Sequence, residues 1–289
     1  MNPRRREALR RGELAGLAYR LAVPRDPVTG HDGFRVGRQT GSSLDFKDYR
    51  DYQPGDDLRH IDWHAYARTD RLVVKLFRQE VCPHMDLVLD ASVSMALGGS
   101  AKAETALALA AALTAAADNA RCSRRVWLAG GVLHPIANSA DVPERWEGLD
   151  FDFAGNPAEA LQSAGGWRRG GVRVLVSDLL WPGDPLAVLR RLSEGASAIA
   201  VVQVLAGRDV EPPEPGNIRL TDVETGAELD LYLDAAGRAR YTAALAAHRA
   251  AWATACRQAQ ARFAVVVADP PAATPPVRAL EEAHIVEAA

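Results

Sequence analysis

The chain has 289 residues, of which 48% are hydrophobic and 25% charged, so it can bury one large core or two smaller ones. Its formal net charge of −3 lacks the positive excess of a nonspecific nucleic-acid binder, which argues against a nucleic-acid partner. The three cysteines are far apart, and they indicate neither a disulfide framework nor a clustered zinc site.

The N-terminus does not have the pattern of a secretory signal. Met1 to Glu7 are basic, but polar residues interrupt the apolar stretch that would have to follow. The longest apolar run, Leu107 to Ala117, is shorter than the roughly 20 residues of a membrane-spanning helix. We therefore expect a cytoplasmic protein without an integral membrane segment.

The first predicted element is a helix over residues 4–22. Leu9, Leu14, Leu17 and Leu21 can share one face of it, which predicts a helix docked on the rest of the protein. A solvated helix with a basic surface remains the alternative.

Residues 24–70 are polar, with glycines interspersed among aromatic residues, which indicates an irregular and turn-rich segment. The aromatic side chains need a packing surface, so this segment is not a simple linker. A short strand is predicted at Val73–Phe77. We assign residues 1–80 to an N-terminal part that carries the helix, the aromatic segment and a Pro-Gly-Asp-Asp motif.

Residues 81–270 have the pattern of an α/β domain with a doubly wound, mostly parallel sheet and helices on both faces. The Ala- and Leu-rich stretch Lys102 to Ala120 is predicted to be a helix packed against this sheet. Residues 125–128 and 132–135 are predicted to pair as a hairpin, and a second small hairpin near 217–234 is expected to extend the domain edge. Residues 271–289 are expected to form a C-terminal tail. The predicted strands of the sheet are Leu87–Leu89, Val172–Val176, Ala198–Leu205 and Phe263–Val267.

Three of these strands are followed by an aspartate, namely Asp90, Asp178 and Asp269. Ligands of doubly wound sheets bind at the carboxyl ends of the strands, where these acids are expected to lie. After the first strand, Asp90, Ser92 and Ser94 offer a carboxylate and two hydroxyls, which suit a hard cation. Such a cation stays under-neutralised and attracts a carboxylate from a partner. The alternative is that the serines only cap a helix or turn.

Four segments resemble the family known as domain of unknown function 58 (DUF58). They are residues 41–50, the Pro-Gly-Asp-Asp-containing stretch 52–63, residues 67–69 and the loop 90–95, and the resemblance spans roughly residues 10 to 270. That family is similar to von Willebrand factor A domains and is typically linked to MoxR-type AAA+ ATPases. The resemblance therefore implies a von Willebrand A-like fold and a MoxR-type ATPase, or its client, as partner.

The resemblance also implies a metal-ion-dependent adhesion site for Mg²⁺ or Mn²⁺. Asp90, Ser92 and Ser94 would form its first loop, and Asp178 would act from the later strand through water. This sequence departs from the family pattern at Asn156, which stands where such domains have a threonine. The amide oxygen of Asn156 can serve as a ligand, but Asn followed by Pro157 is also a typical helix start.

A polar cluster in the N-terminal part allows two interpretations. Its acids can pair with arginines in a structural network, which we favour, or they can perform metal-assisted hydrolysis. His60 and His64 have a spacing that would suit zinc, but the metalloprotease signature is missing. The residues of this cluster are Asp56, Asp57, Arg59, Asp62, Trp63 and Arg68.

The sequence contains no nucleotide-binding loop, no dinucleotide fingerprint and no serine-hydrolase elbow. We therefore expect a non-enzymatic interaction adaptor that uses a metal-dependent adhesion site. A metal-assisted hydrolase acting through Asp56, Asp57 and Asp62 and a metal-free scaffold are the alternatives. The sequence does not fix the oligomeric state.

Overall fold

The fold was obtained as a computed structural model that describes residues 2–23, 44–53, 58–79, 84–98, 100–223, 225–268 and 275–289, with the backbone alone at 44–48, 60 and 75–79. The chain forms two compact units. The sheet unit contains residues 1–28 and 83–289, and the small unit contains residues 29–82. The sequence had grouped the first helix with the aromatic segment, whereas the structure groups it with the sheet unit.

Along the described residues, α-helices alternate with single strands or pairs of strands. The helices are α1 (Pro3–Gly16), α2 (Trp63–Thr69), α3 (Lys102–Asn119), α4 (Pro157–Ser163), α5 (Pro185–Ser193), α6 (Gly207–Val210), α7 (Ala235–Gln258) and α8 (Val277–Glu282). The strands are β1 (Tyr19–Leu21), β2 (Leu44–Asp51), β3 (Val73–Gln79), β4 (His84–Asp90), β5 (Ser123–Ala129), β6 (Leu133–Pro135), β7 (Val172–Ser177), β8 (Ala198–Ala206), β9 (Gly216–Thr221), β10 (Glu228–Leu233), β11 (Arg262–Ala268) and β12 (Val286–Ala288).

The sheet unit is built on a sheet with the strand order β11-β8-β7-β4-β5-β6. Its strands are parallel to their neighbours except for β6, which pairs antiparallel with β5. Parallel sheets are covered on both faces, so their strands are continuous apolar runs. All four strands that the sequence predicted for this sheet are present, and the prediction of a mostly parallel α/β sheet is confirmed.

Alternate residues of the central strands supply two separate cores. On β4, Leu87 and Leu89 belong to one core and Val88 belongs to the other. Neighbouring β7 repeats the alternation, with Val174 in the first core and Leu175 in the second. Residues of α3 and α8 cover the first face, and residues of α4, α5 and α7 cover the second. Helices therefore cover both faces, as predicted.

Helix α1 packs against α3 with very little space between the two backbones. Its buried residues are Ala8, Leu9, Gly12 and Gly16, so small residues recur along the contacting face. A Cβ atom added to Gly12 would lie 2.7 Å from the Cα atom of Ala108 on α3. The close approach of the two helices therefore requires glycine at this position.

The predicted leucine face of this helix is only partly correct. Leu9 is buried, but Leu14 and Leu17 are 60% and 57% exposed, and Leu21 lies beyond the helix in β1. The helix ends at Gly16, earlier than predicted, and it turns its small residues towards α3. Close backbone approach, instead of leucine packing, therefore orients α1.

The second hairpin forms as predicted, but it does not join the main sheet. Strands β9 and β10 pair antiparallel with each other and form a separate two-stranded sheet. Most of their residues are exposed, including Leu220 and Leu229, which lie opposite each other on one face of the hairpin and are 48% and 58% exposed.

The C-terminal residues are packed and do not form a loose tail. Strand β12 pairs antiparallel with β1, and Leu280 and Ile285 are buried in the first core. The two ends of the sheet unit therefore meet in one small ribbon.

In the small unit, β2 and β3 form an antiparallel pair, and the strand predicted at Val73–Phe77 is confirmed within β3. Helix α2 begins at Trp63 with Asp62 as its N-cap. Within the described parts of both units, no helix is long and apolar enough to cross a membrane.

Candidate functional site

The candidate site lies at the carboxyl ends of β4 and β7, which are parallel neighbours. Asp90 is the last residue of β4, and Asp178 directly follows the last residue of β7. Because parallel strands end at the same edge of a sheet, the two aspartates lie on one side, as the sequence predicted. Both side chains are buried. Asp269 lies outside the described residues.

The Asp90 carboxylate is held by two neighbours. Its Oδ1 atom accepts a hydrogen bond of 2.8 Å from the backbone N–H of Ser92, and its Oδ2 atom accepts one of 2.5 Å from the hydroxyl of Ser177. Burial and the nearby negative charge of Asp178 raise the pKa of Asp90 to about 6, although the hydrogen bonds from Ser177 and Ser92 act in the opposite direction. Asp90 therefore carries its charge at neutral pH and loses it in mild acid.

The hydroxyls of the first loop connect towards Asp178. Ser92 Oγ lies 3.0 Å from Ser94 Oγ, and Ser94 Oγ donates a 2.9 Å hydrogen bond to Asp178 Oδ2. The predicted ligands Asp90, Ser92, Ser94 and Asp178 thus lie at one edge, in a set of oxygen atoms of the kind that a hard divalent cation prefers.

The sequence reasoning missed a buried lysine in this cluster. Lys102 is the first residue of α3, and its side chain is only 2% exposed. Its ammonium donates a 2.8 Å hydrogen bond to Asp178 Oδ2 and lies 3.2 Å from Asp209 Oδ2. Burial lowers the pKa of Lys102, but the charges of Asp178 and Asp209 outweigh burial and raise the pKa above its ordinary value. Lys102 therefore holds a positive charge inside the site.

A signal for Lys102 was present in the sequence. Lysine is almost never fully buried without a partner of opposite charge. A lysine at the start of a helix that is apolar nearly all round therefore indicates a buried carboxylate close by. The identity of that carboxylate depends on the fold, because Asp178 and Asp209 are distant in the sequence.

The residues at this edge fit a divalent cation. Two carboxylates and two hydroxyls supply hard oxygen donors, and the Lys102 ammonium acts as a stand-in cation against Asp178. In the described part of the chain, no three His, Cys, Asp or Glu side chains form a cluster that could hold a metal. Hydroxyls would therefore have to complete the ligand set, as the adhesion-site hypothesis requires.

Asn156 acts as a helix cap in the structure. Its Oδ1 atom accepts a 3.0 Å hydrogen bond from the backbone N–H of Ala158 at the start of α4, and its Nδ2 atom donates a 2.7 Å bond to the carbonyl of Pro182. Capping was the alternative that the following proline indicated.

The turn after Asp178 is fixed by its own side chains. Leu179 has a φ of 59°, an uncommon conformation for a branched residue that costs of order 1 kcal/mol. The Ser177 hydroxyl accepts from the N–H of Leu179, and Asp178 Oδ1 accepts from the N–H of Leu180. These hydrogen bonds hold the strained turn and thereby the Asp178 carboxylate.

The polar cluster of the small unit is described only in part. Asp62 caps α2: its Oδ1 atom accepts from the backbone N–H groups of His64 and Ala65, and its Oδ2 atom accepts from the Tyr49 hydroxyl at 2.9 Å. These contacts make Asp62 a helix cap, and none of them is the predicted pairing with an arginine, which stays a prediction. Trp63 is exposed, and the Arg68 guanidinium donates to the carbonyl of His64.

The other residues of that cluster are Arg59, Asp56 and Asp57. Arg59 is exposed, whereas Asp56 and Asp57 lie outside the described residues, as does the side chain of His60. The predicted pairing of Asp56 and Asp57 with arginines and the weaker zinc hypothesis therefore stay predictions.

Comparisons with known proteins find a matching family and related sequences. Residues 48–140 and 152–251 match a family described as "Protein of unknown function DUF58". Uncharacterized proteins from Mycobacterium bovis and Mycobacterium tuberculosis are each 32% identical over 234 residues, which cover 75% of this chain and 73% of theirs. The crystal structure of the conserved hypothetical protein BatB from Bacteroides thetaiotaomicron aligns at 14% identity and a TM-score of 0.40, over 70% of this chain and 98% of that one.

Proposed function

The chain belongs to the DUF58 family, and on this premise we propose that it is a non-enzymatic adaptor that binds a partner protein through a metal-dependent adhesion site. In this proposal the sheet unit is a von Willebrand factor A-like domain. The partner is a MoxR-type AAA+ ATPase or its client, as the family resemblance implies. The ATPase supplies energy for assembly or maturation, and this chain supplies recognition.

One observation carries the proposal, namely the meeting of Asp90, Ser92, Ser94 and Asp178 at the carboxyl edge of the sheet. A bound Mg²⁺ or Mn²⁺ ion would supply a positive charge that these ligands neutralise only in part. A glutamate or aspartate of the partner can then complete the coordination. The four residues hold and orient the ion, and the turn at Leu179 fixes Asp178 in place.

A metal-free scaffold is the second candidate, because two observations favour it. The Lys102 ammonium already neutralises Asp178, and Asn156 uses its amide to cap α4. In this alternative the same edge binds the partner without a metal, and partner binding is unchanged by EDTA. The hydrolase hypothesis is weaker, because both Asp62 oxygens accept hydrogen bonds that stabilise the small unit.

The metal is tested by titrating Mn²⁺ into the purified protein in a calorimeter, with Asp90→Asn as the key variant. The amide keeps an oxygen for the Ser92 N–H but removes the charge, so we expect a folded protein with at least tenfold weaker Mn²⁺ binding. Asp230→Asn on the exposed β9–β10 hairpin is the matched control and should bind like the unsubstituted protein.

Equal Mn²⁺ affinity for Asp90→Asn and the unsubstituted protein would contradict the metal site. If neither protein binds Mn²⁺, the metal-free scaffold becomes the better description. The partner is tested separately by co-purification with a MoxR-type ATPase in the presence of Mg²⁺ and in the presence of EDTA.

The affinity for Mn²⁺ should depend on pH because the pKa of Asp90 is raised to about 6. At pH 7.5 the carboxylate is ionised and free to bind the ion, whereas at pH 5.0 a proton occupies it and must be displaced. We therefore expect binding to weaken about tenfold between pH 7.5 and pH 5.0, with most of the change below pH 6. An affinity that is flat over this range would mean that Asp90 is not a ligand.

A further inference from the structure

The Lys102 ammonium occupies the side of Asp178 that faces the rest of the cluster. Asp178 Oδ2 accepts hydrogen bonds both from Ser94 Oγ, at 2.9 Å, and from Lys102 Nζ, at 2.8 Å. The same carboxylate oxygen is therefore shared by a predicted metal ligand and by an internal cation. A divalent ion placed between Ser94 and Asp178 would meet the Lys102 ammonium there.

Lys102 has a second carboxylate within reach. Its ammonium lies 3.2 Å from Asp209 Oδ2, and the Asp209 side chain is 14% exposed compared with 1% for Asp178. The backbone N–H of Ala206 also donates a 2.8 Å hydrogen bond to Asp209 Oδ2, which holds this carboxylate beside the lysine. Lysine has a flexible stem of four carbons, so a small rotation moves its charge from one carboxylate towards the other.

The position of Lys102 at the start of α3 raises the energetic cost of its charge. Lys102 begins the helix, where the partial positive charge of the helix dipole repels an ammonium group. The two carboxylates must overcome this repulsion and the cost of burial. A divalent ion bound at Asp178 would repel the ammonium in the same way.

We propose that Lys102 is a built-in competitor of the divalent cation: its ammonium bridges Asp178 and Asp209 when no ion is bound and leaves Asp178 for Asp209 alone when the ion binds. This inference rests on the proposed function and adds a regulation to that site. Without the ion, the ammonium then offsets part of the negative charge of Asp178 and Asp209. The ion binds only if it supplies the energy needed to displace the lysine from Asp178. The adhesion site would therefore bind the ion weakly.

The test compares Mn²⁺ affinities of two variants that should change in opposite directions. Lys102→Gln keeps a hydrogen-bond donor for Asp178 but removes the competing charge, so it should bind Mn²⁺ about tenfold more tightly. Asp209→Asn removes the charge that receives the displaced ammonium, so it should bind Mn²⁺ more weakly by a similar factor. Opposite signs cannot arise from a general loss of structure, which would weaken binding in both.

Arg208→Gln is the control for a general effect of charge. Arg208 is exposed, neighbours Asp209 and donates to the carbonyl of Gly98, so its removal changes the local charge equally without freeing Asp178. We expect less than a threefold change in Mn²⁺ affinity from this substitution, because exposed charges are screened. Thermal unfolding of each variant shows that the proteins compared are folded.

The outcomes separate this inference from the proposed function. Mn²⁺ binding that is equal in the unsubstituted protein and in Lys102→Gln overturns the competition and leaves the adhesion site intact. Tighter Mn²⁺ binding by Asp209→Asn than by the unsubstituted protein also overturns the competition. If no folded variant binds Mn²⁺, both the competition and the adhesion site are overturned. If only Lys102→Gln binds Mn²⁺, the competition is supported, and the unsubstituted protein works without a metal.

Discussion

Replacing Gly12 with alanine is expected to lower the free energy of unfolding by about 2 kcal/mol or more. The added Cβ atom would lie 2.7 Å from the Cα atom of Ala108, a distance that requires the two helix backbones to separate. Alanine is the better helix former by about 1 kcal/mol, so helix propensity alone predicts a gain in stability. A loss of stability would therefore show that the close packing of α1 on α3 outweighs the higher helix propensity of alanine.

The measurement is chemical unfolding of the purified protein, followed by circular dichroism. Gly165→Ala is the matched control, because a Cβ atom at Gly165 would meet no atom within 4 Å and its backbone has no positive φ. The control should change stability by less than about 0.5 kcal/mol. A Gly12→Ala protein as stable as the original, or more stable, would show that α1 does not lie this close to α3.

Replacing Asp178 with alanine should destabilise the sheet unit by about 3 kcal/mol or more. The substitution leaves the buried Lys102 ammonium with Asp209 as its remaining carboxylate, and it removes the acceptor of the Ser94 hydroxyl. A buried ammonium that is held by one carboxylate instead of two loses much of the attraction that offsets its desolvation. The loss should therefore be much larger than the loss of an ordinary ion pair.

Two further variants test the cause of this loss. The double variant Lys102→Met with Asp178→Ala also removes the buried lysine charge, so it should be more stable than Asp178→Ala alone. Asp230→Ala breaks the Arg219–Asp230 pair, which has a similar distance of 2.7 Å but is exposed, and it should cost less than about 1 kcal/mol. Equal losses for Asp178→Ala and Asp230→Ala would contradict a buried, charged Lys102.

The sequence by itself determined the α/β class and the oxygen-donor residues Asp90, Ser92, Ser94 and Asp178 of the candidate site. Strands such as β7 are buried on both faces, so they appear as apolar runs, which in β7 only Arg173 interrupts. Because parallel strands end at the same edge, Asp90 and Asp178 were predicted to meet although 87 positions separate the end of β4 from the end of β7. The serines two and four residues after Asp90 completed the predicted set of oxygen ligands.

Only the tertiary structure decided which groups surround that edge and how the helices approach it. Lys102 was predicted merely as the start of a helix, since its burial depends on Asp178 and Asp209, which the fold brings to it. Gly12 looked like an ordinary helix residue, because the need for glycine arises from the α3 backbone opposite it. Patterns along the chain report the face that each element buries, whereas contacts between distant elements depend on distances that no local pattern contains.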